Sequence, residues 1–352
     1  MKKNGKGVKM RLLLVGFGTV GQGLAELILE KKDELKQKYN LEPRVVGISD
    51  KLKGSVAHPE GINLSRTLKR VRAGESPGDG EGDLFDGGAL DMIEGMDADV
   101  LVEATYTDIQ TGEPAASHVR TALKRGMHVV TSNKGPVALH YHELYGIARQ
   151  KRVDFLFEGT VMSGTPVLNL LHDCLAGSQV RELRGILNGT TNYILTRMEE
   201  GLSYERALKK AQDLGYAEAV PDADVKGWDA LAKAAILAKV IMGARENPFD
   251  FPCEGITGIS SRDIKDALER NRRFKLIARV WRDGRRTRAA VAPEKVEMSH
   301  PLAGVMGASN ALTITTDALG DVTVEGPGAG RRETGFSLLT DLIKIARCRP
   351  VT

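Results

Sequence analysis

The stretch that decides the fold is LLLVGFGTVG, residues 12–21. An apolar run enters three glycines with the spacing G-x-G-x-x-G, and the amphipathic pattern of a helix follows. In such a turn, Gly16 permits the tight bend, Gly18 lets the backbone approach a pyrophosphate, and Gly21 lets the helix pack on the strand. The N-terminus of the helix then faces the phosphates. The stretch predicts a dinucleotide-binding site, with an ordinary glycine turn as the alternative.

An acidic residue, Asp50, ends the next strand-like run. A carboxylate at this place accepts hydrogen bonds from the adenosine ribose and favours NAD. Lys51 and Lys53 follow at once, and either is suited to the 2'-phosphate of NADP. The sequence therefore predicts NAD or NADP as the cofactor and leaves the choice open.

Strand-like runs alternate with helical stretches through the first part of the chain, at 12–15, 44–49, 99–103 and 128–131. This alternation predicts parallel βαβ units in an α/β fold with a Rossmann-like, doubly wound parallel sheet. A loop rich in Gly, Asp and Glu is expected at 73–88.

The pattern changes after Val153, where helices and later many strands follow. Since a single core rarely grows beyond about 250–300 residues, 352 residues predict two domains. We expect a Rossmann domain built from residues 1–150 and 325–352, because a second glycine-rich turn, GPGAG at 326–330, precedes a final helix and would return to the nucleotide site. An α+β domain with a mixed sheet, 151–324, would be inserted between them.

Composition excludes several classes of protein. The 50 basic residues are offset by 46 acidic ones, and a net charge of +4 does not indicate a nucleic-acid partner. No segment approaches the ~20 apolar residues that span a membrane. Three widely spaced cysteines with no CxxC pair indicate a reducing, cytoplasmic setting without a cysteine-built zinc site. The basic stretch 270–288 is interleaved with apolar residues and is interpreted as a strand edge and turn in solvent, with a polyanion-binding site as the alternative.

A helix predicted over 225–244 carries Asp229 and Lys233, which lie on one helix face because they are four residues apart. An exposed ion pair is the alternative interpretation. However, apolar residues lie on both faces of this helix, which is typical of a buried helix. A buried Asp and Lys are rarely tolerated without a task, so this pair is a candidate for catalysis.

A further segment, TSNKGP at 131–136, follows the fourth strand. Ligands of open α/β sheets bind at the carboxyl ends of strands, so Lys134 would point toward the nicotinamide. A solvated loop lysine is the alternative. The turn GILNGTTNYI at 185–194 would expose backbone to a ligand before a helix.

Together these segments resemble the homoserine dehydrogenases, from Met10 nearly to the end of the chain. The resemblance is carried by GFGTVG at 16–21, TSNKGP at 131–136, FEGTVMSGTP at 157–166, ILNGTTNYIL at 186–195, GYAEAVPDADVKGWDALAK at 215–233, HPLA at 300–303 and GPGAG at 326–330. It implies the reversible, NAD(P)-dependent interconversion of L-aspartate 4-semialdehyde and L-homoserine, a step toward threonine, methionine and isoleucine. It also implies a homodimer, with the inserted domain serving substrate binding and dimerisation.

The chemistry requires a cation and proton donor at the alkoxide that hydride transfer creates. Lys233 is our candidate, held by Asp229, with Lys134 adding a second positive charge. By the resemblance, the substrate-binding residues are Glu218 and Asp224 for the ammonium, with Thr190 for the carboxylate and Tyr216 beside them. The implied cofactor-binding residues are Gly16, Phe17, Gly18, Thr19, Val20, Gly21, Asp50, Lys51, Thr105, Ser132, Lys134, Gly328 and Gly330. Glu158, with carbonyls near Val161, Ser163 and Thr165, resembles the family's structural sodium site.

Two departures from the family pattern stand out. Val220 occupies a position where the family commonly has Asp, which bears on substrate preference. The sequence stops at Thr352 without the amino-acid-sensing domain that many members carry, so we expect no threonine inhibition through such a domain.

Two rival functions are a related Rossmann amino-acid dehydrogenase and a non-catalytic cofactor sensor. The joint presence of Lys134, Glu218, Asp229 and Lys233 argues against a sensor.

Overall fold

The structure is a computed structural model that describes residues 8–78 and 83–348. Contacts divide the chain into two compact units. The first contains the chain up to Thr160 and again from Gly330, and the second runs from Val161 to Ala329. Residues 1–7, 79–82 and 349–352, which belong to the expected Rossmann segments and to the loop expected at 73–88, lie outside the described residues.

A seven-stranded sheet flanked by helices forms the first unit. Its strands are β1 (Val8–Val15), β2 (Leu41–Asp50), β3 (Gly54–Ala57), β4 (Asp83–Leu84), β5 (Val100–Glu103), β6 (His128–Thr131) and β7 (Phe155–Leu156). Its helices before the chain leaves the unit are α1 (Thr19–Glu30), α2 (Lys32–Tyr39), α3 (Leu64–Arg72), α4 (Ala89–Gly95), α5 (Ala115–Lys124) and α6 (Lys134–Lys151). The Rossmann-like prediction is confirmed.

The strands of this sheet are in the order β4-β3-β2-β1-β5-β6-β7, and this order determines where a dinucleotide is expected to bind. β1 pairs in parallel with both β2 and β5, so the order reverses on either side of β1. Leu12, Leu14 and Val15 are at most 1% exposed, as expected of a parallel strand covered on both faces. Dinucleotides bind outside the carboxyl ends of the strands at such a switch point. Part of the expected loop instead forms β4, which pairs antiparallel with β3.

The second unit contains a five-stranded sheet with helices. Its strands are β8 (Val180–Ile186), β9 (Arg272–Asp283), β10 (Arg286–Glu297), β11 (Ser309–Thr316) and β12 (Gly320–Pro327). The helices from the end of the first unit onward are α7 (Gly159–Met162), α8 (Gly189–Glu199), α9 (Tyr204–Asp213), α10 (Asp222–Val225), α11 (Trp228–Met242), α12 (Ser261–Glu269) and α13 (Pro301–Gly304). A π-helical turn at Leu170–Cys174 and a 3-10 turn at Pro248–Asp250 complete the unit.

The prediction of a mixed sheet in this unit is wrong. Every pairing in the order β10-β9-β8-β11-β12 is antiparallel. Short turns join β9 to β10 and β11 to β12, and such hairpins are antiparallel by construction. The direction of β8 relative to β9 is set by the long helical connection between them. The alternation of apolar and polar residues within a strand does not indicate that direction.

The helix predicted over 225–244 is present as α11, but it begins three residues later and ends two residues earlier, and Val225 belongs to the short preceding helix α10. Gly227 separates them in a left-handed conformation with φ of 85°. A Cβ atom on Gly227 would lie 3.1 Å from Cys253 Sγ, so the turn is both left-handed and crowded. The basic stretch 270–288 does form strand and turn, as predicted, in β9 and the start of β10.

The chain returns to the first unit through α14 (Arg331–Cys348), which packs on α1. The two helices approach closely at glycines, since a Cβ atom on Gly23 would lie 2.2 Å from Arg331 O and one on Gly335 would lie 2.7 Å from the carbonyl carbon of Gly23. Arg332 pairs with Glu30 at 2.7 Å. The last helix thus supports the helix that follows the glycine turn. Among the described helices, none is long and apolar enough to cross a membrane.

Candidate active site

The glycine turn between β1 and α1 has the geometry that its spacing predicts. Gly16 has a φ of 91°, and a Cβ atom there would lie 2.4 Å from Ala104 O. A Cβ atom on Gly21 would lie 2.3 Å from Gly16 O, which allows α1 to start directly against the turn. A Cβ atom on Gly18 would meet nothing within 4 Å, because this glycine faces open space. The first and third glycines are therefore needed by the fold, and the second leaves room for a ligand.

A cavity of about 1040 Å³ lies over this turn. It is lined by five of the predicted cofactor residues: Gly16, Gly18, Asp50, Lys51 and Thr105. Its wall also contains residues that sequence reasoning missed, among them Leu52, Phe85, Tyr106, Pro114 and His118. Their positions depend on the loops after β2, β4 and β5 and, for His118, on α5, and no local sequence signal indicates them.

The Asp50 carboxylate lies at the end of β2 and is held by backbone groups. Oδ2 accepts a hydrogen bond from the Phe17 N–H at 2.7 Å, and Oδ1 accepts from the N–H groups of Leu52 and Lys53 at 3.0 and 3.1 Å. Lys53 Nζ lies 3.5 Å from Oδ1, whereas Lys51 is exposed. The carboxylate is thus fixed against the glycine turn.

Five other predicted cofactor residues belong to the first unit but are not among those that line the cavity. Thr19 and Val20 form the first turn of α1, and Gly330, with a φ of 144°, precedes α14. Ser132 is half-buried after β6, and Lys134 is the first residue of α6. Gly328 belongs to the second unit, where a Cβ atom on it would lie 2.1 Å from Asn310 Cγ.

Lys233 is buried in the second unit, as predicted, with 7% of its surface exposed. Its Nζ lies 2.8 Å from Asp229 Oδ2 and donates a hydrogen bond to the Leu187 carbonyl at 2.6 Å. An ammonium with a carboxylate and a carbonyl as partners is a fixed positive charge that can stabilise a developing anion or transfer a proton.

Asn188 connects the acidic residues of this cluster, a role that the sequence pattern alone does not indicate. Its Nδ2 lies 2.7 Å from Asp224 Oδ1 and 3.0 Å from Asp229 Oδ2, and its Oδ1 accepts the Thr191 N–H to cap α8. Asparagine before a helical stretch is a common N-cap, so α8 begins at Gly189. Burial raises the pKa of Asp224 above its usual value, and the hydrogen bond from Asn188 opposes that rise.

The remaining predicted substrate residues lie near the start of α8 or in the segment 215–221. The Thr190 hydroxyl donates to the Tyr216 carbonyl at 2.6 Å, and the ring of Tyr216 lies 5.0 Å from that of Tyr193. Glu218 and Val220 are exposed. Glu218 also helps to raise the pKa of Asp224 through its charge, although burial contributes more.

The residues of the predicted sodium site belong to both units. Glu158 is buried in the first, and its N–H donates to Asp341 Oδ2 at 3.1 Å. Val161, Ser163 and Thr165 are buried in the second, and Ser163 is left-handed with a φ of 52°. Across the described part of the chain, no three His, Cys, Asp or Glu side chains are grouped to hold a metal ion. The sodium site stays a prediction.

Comparison with known proteins identifies relatives over the whole chain. A family model described as homoserine dehydrogenase matches residues 166–343, and one described as the homoserine dehydrogenase NAD-binding domain matches 16–158. The NAD(+)-dependent homoserine dehydrogenase of Pseudomonas canavaninivorans is 45% identical, covering 95% of this chain and 96% of that protein. The homoserine dehydrogenase of Methanocaldococcus jannaschii is 41% identical, covering 96% and 98%. A solved hyperthermophilic archaeal homoserine dehydrogenase in complex with NADPH is 31% identical, with a TM-score of 0.82 and coverage of 97% and 99%.

Proposed function

The chain belongs to the homoserine dehydrogenase family, and from this premise we propose that Lys233, held by Asp229, is its proton donor and acceptor. The protein is an NAD(P)-dependent oxidoreductase that acts on a CH–OH group. It interconverts L-homoserine and L-aspartate 4-semialdehyde. The observation that supports this proposal is the burial of Lys233 with its Nζ 2.8 Å from Asp229. A buried lysine placed among polar groups is typical of a site in which charge develops.

In the reducing direction, hydride reaches the aldehyde carbon and its oxygen becomes an alkoxide. The Lys233 ammonium stabilises this oxygen and transfers a proton to it, which gives the hydroxyl of homoserine. In the oxidising direction, the neutral amine of Lys233 accepts the hydroxyl proton of homoserine as the CH–OH carbon gives up its hydride. Asp229 and the Leu187 carbonyl keep Nζ in one place in both directions.

We propose that the two charged ends of the amino acid bind around the start of α8. Glu218 and Asp224 bind the ammonium as carboxylates. The N-terminus of α8 has free N–H groups and a partial positive charge, which suit the substrate carboxylate next to Thr190. Because the Thr190 hydroxyl already donates its proton to Tyr216 O, the backbone N–H groups at the start of α8 are the donors for the substrate carboxylate. Val220 adds no charge here, so Glu218 and Asp224 supply the negative charge for the ammonium.

The position of Asp50 supports a preference for NAD. A ribose diol donates to a carboxylate, whereas a 2'-phosphate would be repelled by one that is held by three backbone N–H groups. Comparing kcat/KM for the two cofactors tests this, with a higher value expected for NAD. If NADP is preferred instead, the double variant Lys51→Ala/Lys53→Ala should lose that preference, which would assign the phosphate to the lysines.

Lys134 is proposed to add a second positive charge toward the nicotinamide and the reacting carbonyl. It starts α6, directly after β6, at the carboxyl ends of the parallel strands. The other cofactor contacts proposed are the backbone of 16–21 at the pyrophosphate, with Thr105, Ser132, Gly328 and Gly330 toward the nicotinamide. A sodium ion, bound through Glu158 and carbonyls near Val161, Ser163 and Thr165, would have a structural role.

A homodimer is proposed for the active form. β12 is an edge strand of eight residues in the second unit, and open edge strands are suited to pairing or burial against another chain. Size-exclusion chromatography with light scattering should give the mass of two chains. A mass of one chain at assay concentration would contradict the dimer.

The activity is tested by following NAD(P)+ reduction with L-homoserine beside L-aspartate and L-threonine. We expect turnover with L-homoserine alone, because only its terminal primary hydroxyl yields the 4-semialdehyde. Equal or faster turnover with L-threonine would indicate a different amino-acid dehydrogenase.

A further inference from the structure

Glu103, the last residue of β5, is a buried glutamate that none of the roles above uses. Its side chain is 0% exposed. Moving a carboxylate from water into a protein interior is costly unless hydrogen bonds or charges compensate. The position of Glu103, immediately before residues that line the cofactor cavity, indicates what its hydrogen bonds are for.

Two threonines hold the Glu103 carboxylate. Oε1 accepts hydrogen bonds from the Thr105 N–H at 3.1 Å and from the Thr105 hydroxyl. Oε2 lies 3.1 Å from the hydroxyl of Thr131 at the end of β6, and that hydroxyl also lies 2.9 Å from the Glu103 carbonyl. The carboxylate therefore joins the ends of two neighbouring parallel strands and fixes the chain that follows β5.

Asn133 extends this network to the other side of the same chain segment. Its N–H donates to Thr131 Oγ1 at 2.9 Å, and its Nδ2 donates to the Tyr106 carbonyl at 2.9 Å. The segment from Ala104 to Tyr106 is thus held by Glu103 at one point and by Asn133 at another. All three residues of that segment line the cavity.

His118 lies against the same carboxylate from α5. It is 5% exposed and also lines the cavity. Its Nδ1 lies 3.8 Å from Glu103 Oε1 and has no hydrogen-bond partner among residues 8–78 and 83–348. A movement of about 1 Å would bring the two atoms to hydrogen-bond distance. Glu103 is therefore able to orient two residues of the cavity wall, Thr105 and His118.

The wall that Glu103 supports is the one for the nicotinamide half of the cofactor. Asp50, on β2, marks the adenosine side, and the strand order reverses between β1 and β5. A dinucleotide that crosses the glycine turn places its second half over β5 and β6. We propose that Glu103 is a positioning residue for NAD(P), which fixes Thr105 and, with Thr131, the wall against which the nicotinamide half binds. This proposal rests on one part of the proposed function, namely that the cavity binds NAD(P).

The experiment measures the dissociation constant of NADH and NADPH for the full chain by nicotinamide fluorescence. Glu103→Gln keeps the size of the side chain but replaces one acceptor oxygen with a donor amide. We expect it to weaken binding of the preferred cofactor about tenfold. The KM for L-homoserine should stay within about twofold, because Glu103 is not among the proposed substrate-binding residues. A merely structural role would lower the melting temperature and leave the dissociation constant unchanged.

Thr131→Val provides a second variant, because Thr131 is not among the residues that line the cavity but is hydrogen-bonded to Glu103 and Asn133. We expect binding to weaken about threefold, and the double variant Glu103→Gln/Thr131→Val should bind about as weakly as Glu103→Gln alone, since linked residues are not additive. Thr67→Val is the matched control, because Thr67 is also buried in the first unit and donates to Pro77 O at 3.4 Å, and neither residue is among those that line the cavity. Its dissociation constant should be that of the wild type.

Dissociation constants within about twofold of the wild type in both Glu103→Gln and Thr131→Val would overturn the proposal, as would additive effects in the double variant. If Glu103→Gln does not fold, the proposal is tested by Thr131→Val alone. A dissociation constant of NAD(P)H for Thr131→Val equal to that of the wild type then overturns the proposal. A wild-type protein that binds NAD(P)H but does not oxidise L-homoserine would contradict the proposed function and leave this comparison intact.

Discussion

Lys233 Nζ lies 2.8 Å from Asp229 Oδ2, one turn away on α11. The same nitrogen donates to the carbonyl of Leu187, the residue that follows β8. A helix and a strand end therefore hold one ammonium between them. Such a group has little freedom to turn away from a substrate, which is what positioned acid–base catalysis requires.

Asp229→Asn should lower kcat about 100-fold, because the amide cannot balance the lysine charge as the carboxylate does. The KM for L-homoserine should change less, about twofold, since Asp229 acts through Lys233. The control is Asp213→Asn, which removes the carboxylate of an exposed pair of the same i,i+4 type with Lys209, 2.7 Å apart. Steady-state kinetics that gave the two variants equal activity would contradict the role of Asp229.

Asn188→Ser should move the acid limb of the kcat/KM profile to higher pH. The Asn188 amide donates to Asp224 and lowers a pKa that burial raises, so its removal raises the pKa of Asp224 further. If the Asp224 carboxylate binds the substrate ammonium, protonation of Asp224 abolishes binding. On acidification, the variant therefore loses activity at a higher pH than the wild type does. Serine still caps α8.

Asn63→Ser serves as the control for this pH profile, because Asn63 caps α3 through the Arg66 N–H at 3.2 Å. Its profile should match the wild type. A limb in Asn188→Ser that stayed in place, or moved to lower pH, would remove Asp224 as the group that titrates.

Two alanine variants in the glycine turn should separate stability from cofactor binding. Gly21→Ala places a Cβ atom 2.3 Å from Gly16 O, so we expect a loss of about 1–3 kcal/mol in unfolding free energy. Gly18→Ala meets no protein atom within 4 Å but adds a methyl group where the cavity opens. It should keep the stability and weaken cofactor binding about tenfold. Denaturant unfolding and fluorescence titration check both, and the reverse pattern would mean that the cofactor does not cross Gly18.

Lys275 should make stability depend on pH above neutrality. It is fully buried in β9, where its Nζ donates to Asn192 Oδ1 and Val305 O, and burial lowers its pKa to about 8. In the unfolded chain a lysine has a pKa of about 10.4. Between about pH 8 and pH 10.4 the unfolded state therefore binds more protons than the folded state, and the free energy of unfolding rises with pH. The stability gained from Lys275 between pH 7 and 9.5 is about 2 kcal/mol.

Lys275→Met removes this titrating group. Between pH 7 and 9.5 the unfolding free energy of the wild type should therefore rise by about 2 kcal/mol relative to that of the variant. Urea unfolding of both proteins at several pH values measures it. Parallel pH dependences would show that Lys275 does not titrate in this range.

The parts of the molecule that local sequence patterns determine were predictable. The strand before Gly16, the glycine turn and the buried face of Lys233 each depend on residues within a few positions of one another. Features set by distant contacts were not. The direction of β8 depends on a long connection, and the close approach of Cys253 to Gly227 joins residues that are remote in sequence. Asn188 had a visible signal as a helix cap, but its contacts with Asp224 and Asp229 required the fold.

The role of Lys233 is tested most directly by the kinetics of Lys233→Met beside Lys239→Met. Both lysines are buried on α11, so the second variant controls for the loss of a buried charge from the same helix. We expect Lys233→Met to oxidise L-homoserine with a kcat about 1000-fold below the wild type while its dissociation constant for NAD(P)H is unchanged. Lys239→Met should retain activity within about twofold. A Lys233→Met variant with a kcat within about tenfold of the wild type would contradict the assignment of Lys233 as the proton donor.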